Sequence, residues 1–317
     1  MKPMHLPLEL VLNVITCSLP KPNVLLTPSH PITQLLYSFA LVCKETRRVA
    51  NRYLRQHCLY LSSELRLRSL LLTIPTRPDL RSITALFLAP FGETIDDQPT
   101  ATWVRELFSY TCTTLKRLII DIPLRSLYPE HDHLGVRNIL REGFQRLEQL
   151  EEFVSVRDEL FLDITWHGDE PAFWRHWPKL RRLALYNPDT HADFWRGVAK
   201  NPQLETLVLT RADGLRDVNI KAEYFQRASR PLKVLLINVE DDQVRFGNMR
   251  RFAWDAVDPK MKMTIATYNV PLFEEENPIE GCQEYVKTGA EHGTLWDWEG
   301  EIIQHPPRIV QQVPSGA

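Results

Sequence analysis

The sequence predicts an α/β protein in which an N-terminal unit of three helices is followed by a longer array of alternating strands and helices. Three short apolar segments with helical spacing lie within the first 58 residues. A Leu-x-x-Leu-x-Leu pattern then recurs six times between Ile83 and Ile237. The chain has 317 residues, of which 44% are hydrophobic and 12 are glycine. This composition fits one small globular domain followed by a larger one.

The first apolar segment predicts a helix that starts at Leu6 and Pro7. Proline is tolerated at the first helical position because its missing N–H has no partner there, and Glu9 in the first turn suits the helix dipole. One stripe at helical spacing consists of Leu8, Val11, Leu12, Ile15 and Leu19. Leu10 and Val14 add apolar surface outside this stripe, so one buried face does not account for both.

The second and third segments complete a small helical unit. Residues 32–42 are apolar on most sides, as expected of a helix that is covered by its neighbours. Residues 44–55 carry a narrow stripe that includes Val49, Ala50, Tyr53 and Leu54, whereas four arginines lie mostly off it. A piece of this size buries too little surface to use all of this apolar area. The excess predicts a protein interface.

These residues resemble an F-box of fungal type. The resemblance rests on Leu6-Pro-x-Glu-Leu10, Ile15, Leu19-Pro20 and Leu41-Val42-Cys43-Lys44 followed by Arg47, Arg48 and Ala50. It places the F-box in residues 1–58, with a proline-rich loop at 20–31 that is longer than the usual one. The resemblance implies that this unit binds the small Skp adaptor of a Skp–cullin–F-box ubiquitin ligase. The implied adaptor contacts are Leu6, Pro7, Leu10, Ile15 and Val42, with Leu41 in the interior.

A repeat dominates the middle of the chain, after a bridge at residues 59–79. Its copies begin at Ile83, Leu115, Leu150, Leu180, Leu204 and Leu232, with spacings of 32, 35, 30, 24 and 28 residues. Such spacings suit one strand and one helix per unit. Residues 80–270 resemble a divergent leucine-rich-repeat domain, although Asn187 and Asn238 are displaced from that family's asparagine position. A strand–helix solenoid and an ordinary α/β domain with a parallel sheet both remain open.

An aromatic residue precedes each following repeat by six to nine positions. These residues are Phe108, Phe144, Trp174, Trp195 and Phe225. A bulky ring from each helix would fill the gap between the helix layer and the strand layer, so that adjacent units share one core.

The C-terminal segment, residues 271–317, is acidic, with nine acidic and two basic residues. Residues 261–270 predict one more strand. Within Thr294–Glu299, aromatic and acidic residues alternate, which favours a terminal strand that caps the repeats over a segment that recognises a partner. From His305 onward the composition predicts a disordered end.

Composition and motifs argue against several functions. The chain has 38 basic and 40 acidic residues, so its net charge of −2 argues against general nucleic-acid binding. Five cysteines without a Cys-x-x-Cys pair predict neither disulfides nor a zinc site, which fits a reducing compartment. No apolar run approaches the length of a membrane span, so cytoplasm or nucleus is expected.

Enzymatic chemistry also lacks support. Phosphate-binding loops and a Gly-x-Ser-x-Gly nucleophile elbow are absent from the sequence. His131-Asp132-His133 is the best metal candidate, but it lacks a marked third ligand and fits a solvated loop. We therefore predict a protein that is not an enzyme and has no cofactor.

A target protein is expected on the open face of the sheet, where charged residues between the repeat leucines would project. Aromatic residues near the strand ends would supply interface anchors. The predicted target-binding residues are Arg117, Arg182, Tyr186, Arg211, Lys233, Trp254, Trp296 and Trp298. The leading hypothesis is a substrate receptor that binds Skp and, through it, a cullin. The alternatives are a leucine-rich-repeat interaction module outside any ligase and, more remotely, an unrecognised enzyme.

Overall fold

The computed structural model describes residues 7–19, 24–165, 172–215, 218–239, 254–271 and 277–303. Over these residues the protein has a mixed α/β fold built on a nine-stranded sheet, and the order of the strands across the sheet is their order along the chain. Strands β1 to β8 are parallel, and β9 runs antiparallel to β8. The strands are β1 (Tyr60–Leu61), β2 (Ala85–Leu88), β3 (Arg117–Ile120), β4 (Glu152–Ser155), β5 (Arg182–Tyr186), β6 (Thr206–Thr210), β7 (Leu232–Ile237), β8 (Met263–Tyr268) and β9 (Glu301–Ile302).

Three helices precede the sheet, as the sequence predicts, and further helices connect most of its strands. The helices are α1 (Leu8–Cys17), α2 (Pro31–Ala40), α3 (Lys44–His57), α4 (Glu64–Thr73), α5 (Gln98–Thr111), α6 (Val136–Gln145), α7 (Ala192–Lys200), α8 (Ile220–Phe225), α9 (Trp254–Val257) and α10 (Pro278–Glu291). In the part of the chain that the structure describes, no helix combines the length and the apolarity needed to cross a membrane.

The bridge at residues 59–79 is the first strand–helix unit of the sheet. Its strand β1 pairs in parallel with β2. Leu67 and Leu71 of α4 are buried in the same core as the leucines of β2 and β3. The strand and the helix of this segment therefore extend the array by one unit toward the N-terminus.

The repeated leucines align across the sheet. Leu86, Leu118, Phe153, Leu183 and Leu207 are consecutive partners in the register. All five are buried in the main core, between the sheet and helices α4 to α8. The predicted spacing is therefore confirmed for these copies.

The register predicted for the last copy of the repeat is wrong by one residue. Leu207 lies opposite Val234, not Leu235. Consequently Val234 and Leu236 face the helices, whereas Leu235 and Ile237 face the other side of the sheet. Strand β7 is buried on both faces, so its continuous apolar run does not distinguish one face from the other.

Four of the five predicted aromatic residues are buried in the helix layer, and a neighbouring residue replaces the fifth. Phe108, Phe144, Trp174 and Trp195 are buried in the main core. Phe225 is only partly buried, and the preceding residue, Tyr224, is the buried ring of α8. A neighbouring aromatic residue therefore takes the place that the spacing assigned to Phe225.

Three units share one turn after their strands. Asn187, Arg211 and Asn238 follow β5, β6 and β7 directly and have φ angles of 49°, 51° and 45°. Their backbone N–H groups donate to the carbonyl oxygens of Thr210, Ile237 and Tyr268, respectively. Asparagine tolerates this left-handed conformation better than most residues do. The two asparagines that seemed displaced in sequence thus hold equivalent structural positions.

The C-terminal segment covers the second face of the sheet. Cys282, Val286 and Ala290 of α10, followed by Leu295 and Trp296, form a second core with the side chains of that face. The predicted strand at Thr294–Glu299 is wrong, because Leu295–Asp297 form a 3₁₀ helix. The edge strand lies slightly later, at Glu301–Ile302, where it pairs with β8.

Candidate functional site

The three-helix unit has a small core of its own. Ile15, Leu36 and Ala50 are its fully buried apolar residues, and partly buried side chains from all three helices surround them. Ile15 was predicted to contact the adaptor, but the structure places it between the helices with none of its surface exposed. Its role in this arrangement is to position α1 on the other two helices.

The same unit exposes apolar side chains at two places. On the outer side of α1, Leu10 is 50% exposed and Val14 is 48% exposed, and their spacing of four puts them on one face. In the turn between α2 and α3, Leu41 is 81% exposed and Val42 is 66% exposed. The expectation that Leu41 is interior is therefore wrong. We call these four residues the apolar patch.

Two other predicted adaptor contacts lie at the start of α1. Leu6 lies outside the described residues. Pro7 is exposed, and its carbonyl oxygen accepts the N–H groups of Leu10 and Val11 at 3.1 and 3.3 Å. Pro7 thus begins the helix that presents Leu10.

The exposure of large apolar side chains is concentrated in this unit. Among the described residues, 15 large hydrophobic side chains are exposed, and seven of them lie between Leu8 and Val42. The remaining eight are spread over the rest of the fold. Scattered surface leucines need no explanation, but a concentration on one small unit indicates an interaction surface.

Local hydrogen bonds hold the turn that carries Leu41 and Val42. The backbone N–H of Val42 donates to the carbonyl oxygen of Phe39 at 3.2 Å. Cys43 caps α3, and its N–H donates to Oγ1 of Thr46 at 3.0 Å. Nε of Arg47 donates to the carbonyl oxygen of Ala40 at 3.0 Å. A surface fixed in this way loses less conformational entropy on binding.

The charged residues predicted for an open face are engaged within the chain. Glu152 lies between two arginines, with Nε of Arg117 at 2.7 Å and Nη1 of Arg182 at 3.0 Å from its carboxylate. Nζ of Lys233 donates to the carbonyl oxygens of Trp296 and Trp298 at 3.1 and 3.0 Å. The C-terminal segment covers Lys233, and Glu152 neutralises Arg117 and Arg182, so these three side chains do not form the predicted row of free charges on an open face.

The aromatic and basic residues predicted beside that face do not gather into one surface. Tyr186 is buried, and burial raises the pKa of its hydroxyl. Arg211 is partly buried in the turn after β6. Trp254 lies in the main core on the opposite side of the sheet. Trp296 is buried over the sheet, and Trp298 stacks on Tyr268 with ring centroids 4.9 Å apart. These side chains stabilise the fold.

In the structure, Asp132 of the metal candidate binds the first turn of a helix. The carboxylate of Asp132 accepts the N–H groups of Val136 and Arg137 at 2.7 and 2.8 Å, at the start of α6. Among the described residues, no group of three or more His, Cys, Asp or Glu side chains is placed to hold a metal ion.

The buried carboxyl group of Asp158 also has a structural role. It accepts the N–H groups of Leu124, Leu160 and Phe161, which fixes the loops after β3 and β4. Burial, with a smaller contribution from Glu159, raises its pKa to about 7. Three N–H donors oppose that shift by stabilising the charged form.

The apolar patch is therefore the strongest candidate site on the described surface. Its residues were partly identified from sequence: Leu10 and Val42 were predicted contacts, and Val14 stood out because it lies off the buried stripe. Comparison of the sequence with protein-family models and with curated proteins finds no match. The functional interpretation therefore depends on the geometry of this chain.

Proposed function

We propose that this protein is the substrate-receptor subunit of a Skp–cullin–F-box ubiquitin ligase. In this proposal the three-helix unit is an F-box that binds the Skp adaptor, and the larger domain holds the target protein. The observation that carries the proposal is the apolar patch, which the unit leaves exposed in addition to its own core.

The size of the patch sets what it contributes to binding. Full burial of a leucine or valine side chain contributes about 1.5–3 kcal/mol, so four side chains that are half to four-fifths exposed contribute on the order of 5 kcal/mol. Micromolar affinity corresponds to about 8 kcal/mol. Association also costs several kcal/mol of lost translational and rotational freedom. An adaptor interface of that strength therefore needs contacts beyond the patch, and Leu8 and Leu35 of the same unit, which are 38% and 36% exposed, can add to it.

The larger domain supports a receptor of the leucine-rich-repeat type. Its parallel strands follow one another in chain order, and helices α4 to α8 pack on one face. The other face is covered by α10 and Trp296. We therefore place target binding at the ends of the strands or on the outer helices. In this role the receptor performs no chemistry and raises the effective concentration of the target near the ubiquitin-charged enzyme.

Co-purification tests the proposal. The full chain, expressed with an affinity tag in cells that contain Skp and cullin, is expected to recover both proteins. Recovery of Skp without cullin would support a repeat protein that works outside a ligase. Recovery of neither would contradict the proposal.

A pair of variants makes the experiment specific. Serine in place of Leu41 and Val42 removes half of the patch, and serine in place of Leu65 and Leu72 removes two leucines of α4 that are 72% and 71% exposed. Both variants change exposed side chains, so circular dichroism should show the same fold. Only the first should lose Skp.

A further inference from the structure

A basic pocket lies where the three-helix unit meets the sheet. Its volume is about 600 Å³. One wall is helix α3, from which Arg48, Arg52 and Arg55 line the pocket. Residues four and three apart on a helix lie on one side, so the three guanidinium groups share that wall. The opposite wall consists of Ser82, Thr84 and Thr114, which lie just before β2 and β3.

An adjoining depression at this end of the sheet provides a comparison, because its lysine and arginine side chains are neutralised within the chain. It has a volume of about 420 Å³ and shares Gln56 and Thr84 with the basic pocket. Each of the lysine and arginine side chains that line it is paired with a carboxylate. The pairs are Lys116 with Glu151, Arg117 and Arg182 with Glu152, and Arg181 with Glu205.

The basic pocket lacks this neutralisation. Arg55 forms an ion pair with Asp79, but neither Arg48 nor Arg52 pairs with a carboxylate among the described residues. Glu45 lies one helical turn before Arg48. Its pKa is lowered first by a hydrogen bond to the backbone and then by the Cys43 side chain, and Arg48 contributes least. Two exposed arginines on one wall of a concave site are therefore available to an anion.

The chemistry of the walls indicates which anion fits. Guanidinium groups bind carboxylates and phosphates alike through two parallel N–H donors, and hydroxyl groups add neutral hydrogen bonds. In the adjoining depression the arginines pair with glutamate carboxylates, and a carboxylate would pair with Arg48 and Arg52 in the same way. A nucleic-acid site would present a longer basic track that contacts many phosphates, together with aromatic rings for stacking. The described residues that line this pocket include three arginines and no aromatic side chain.

We propose that this pocket binds the carboxylates of an acidic segment of a partner protein. The pocket is formed by α3 and the start of the sheet, and none of the four residues of the apolar patch lines it. Binding of an acidic peptide at this pocket can be measured with the purified chain alone, without any ligase component.

The test is fluorescence anisotropy with the full chain and a labelled glutamate-rich peptide. The peptide should bind, and its glutamine counterpart should not. Arg48→Gln and Arg52→Gln should each weaken binding about two- to fivefold, the upper part of the range for one exposed ion pair. Lys44→Gln is the matched control, because it removes one charge from an exposed position of the same helix outside the pocket. It should change the affinity less than twofold by comparison.

Three results would overturn the proposal. One is equal weakening of peptide binding by Lys44→Gln and Arg48→Gln, which would indicate that the overall positive charge of the helix, and not the pocket, attracts the peptide. Another is unchanged affinity in the Arg48→Gln, Arg52→Gln double variant, whose melting temperature should match that of the parent protein. The third is a single-stranded RNA that binds more tightly than the peptide and loses affinity in the same variants. The converse design gives positive support: Arg48→Glu with Arg52→Glu should bind a lysine-rich peptide in place of the acidic one.

Discussion

Replacement of Trp296 by alanine tests whether the C-terminal segment is an integral part of the fold. The indole is 6% exposed and packs on the covered face of the sheet, with the guanidinium carbon of Arg182 6.0 Å from the ring centre. Truncation of a buried tryptophan typically costs about 3–5 kcal/mol. We expect a value of about 3 kcal/mol, since a segment near the chain end relaxes more readily than the centre of a core.

Lys233 provides an independent measure of the same contact. Its ammonium group donates to the carbonyl oxygens of Trp296 and Trp298. Lys233→Met removes both bonds, and because the side chain is only partly buried we expect a loss of about 1–2 kcal/mol. In the double variant the losses should not add, because a segment loosened by Trp296→Ala no longer presents those carbonyl oxygens.

Urea denaturation followed by far-ultraviolet circular dichroism measures these values without relying on tryptophan fluorescence, which eight tryptophans would complicate. Ile302→Ala is the control, since that side chain is 56% exposed in the same segment. It should change the free energy of unfolding by less than about 0.5 kcal/mol. If Trp296→Ala lowers the free energy of unfolding no more than the control does, the C-terminal segment does not form part of the core on this face of the sheet.

Three further predictions concern the interior. Leu183→Ala and Leu207→Ala should each lower one shared unfolding transition by about 2–5 kcal/mol, and two transitions, each sensitive to one variant, would contradict a single array. Gly289→Ala should lower the melting temperature, although alanine normally favours helices by about 1 kcal/mol, because the new methyl group would meet the Trp298 ring. A higher melting temperature would refute that packing. The raised pKa of Asp158 means that the folded state holds this proton more tightly than the unfolded chain. Its contribution to stability therefore falls as the pH rises from about 4 to about 7. Asp158→Asn should accordingly gain stability relative to the parent protein over that range. A difference between the two melting temperatures that does not change with pH would contradict this prediction.

Much of the strand–helix order could be predicted from sequence, because four leucines and Phe153 occupy one face of the short strands β2 to β6. The pattern failed at β7, where Leu232, Val234 and Leu236 alternate with Leu235 and Ile237, so both faces are apolar. Burial on two sides removes the period of two that fixes a register.

The C-terminal helix was missed, although signals for it exist. Asn277 and Pro278 are a helix cap and a first-turn proline, and Cys282, Val286 and Ala290 follow at a spacing of four. This combination predicts a helix with one apolar face. The short alternation in Thr294–Glu299 suggested a strand instead, and six residues are too few to separate a strand from a 3₁₀ turn by period alone.

The candidate site was only partly predictable for a related reason. Helical spacing identified Leu10 and Val14 as surplus apolar residues on α1. The exposure of Leu41 depends on the turn after α2, where Cys43 and Thr46 form the cap of α3. A periodic pattern does not describe a turn, so the sequence did not indicate that Leu41 is exposed together with Val42.

The central claim is that the apolar patch of the three-helix unit binds the Skp adaptor. The most direct measurement is the dissociation constant of purified Skp adaptor for the full chain, for Leu10→Ser with Val14→Ser, and for the Leu65→Ser, Leu72→Ser control. The account predicts that the parent protein and the control bind alike and that the α1 variant binds at least about 30-fold more weakly, since two half-exposed side chains represent roughly 2 kcal/mol. Equal affinity of all three proteins, or no binding by the parent protein, would contradict it.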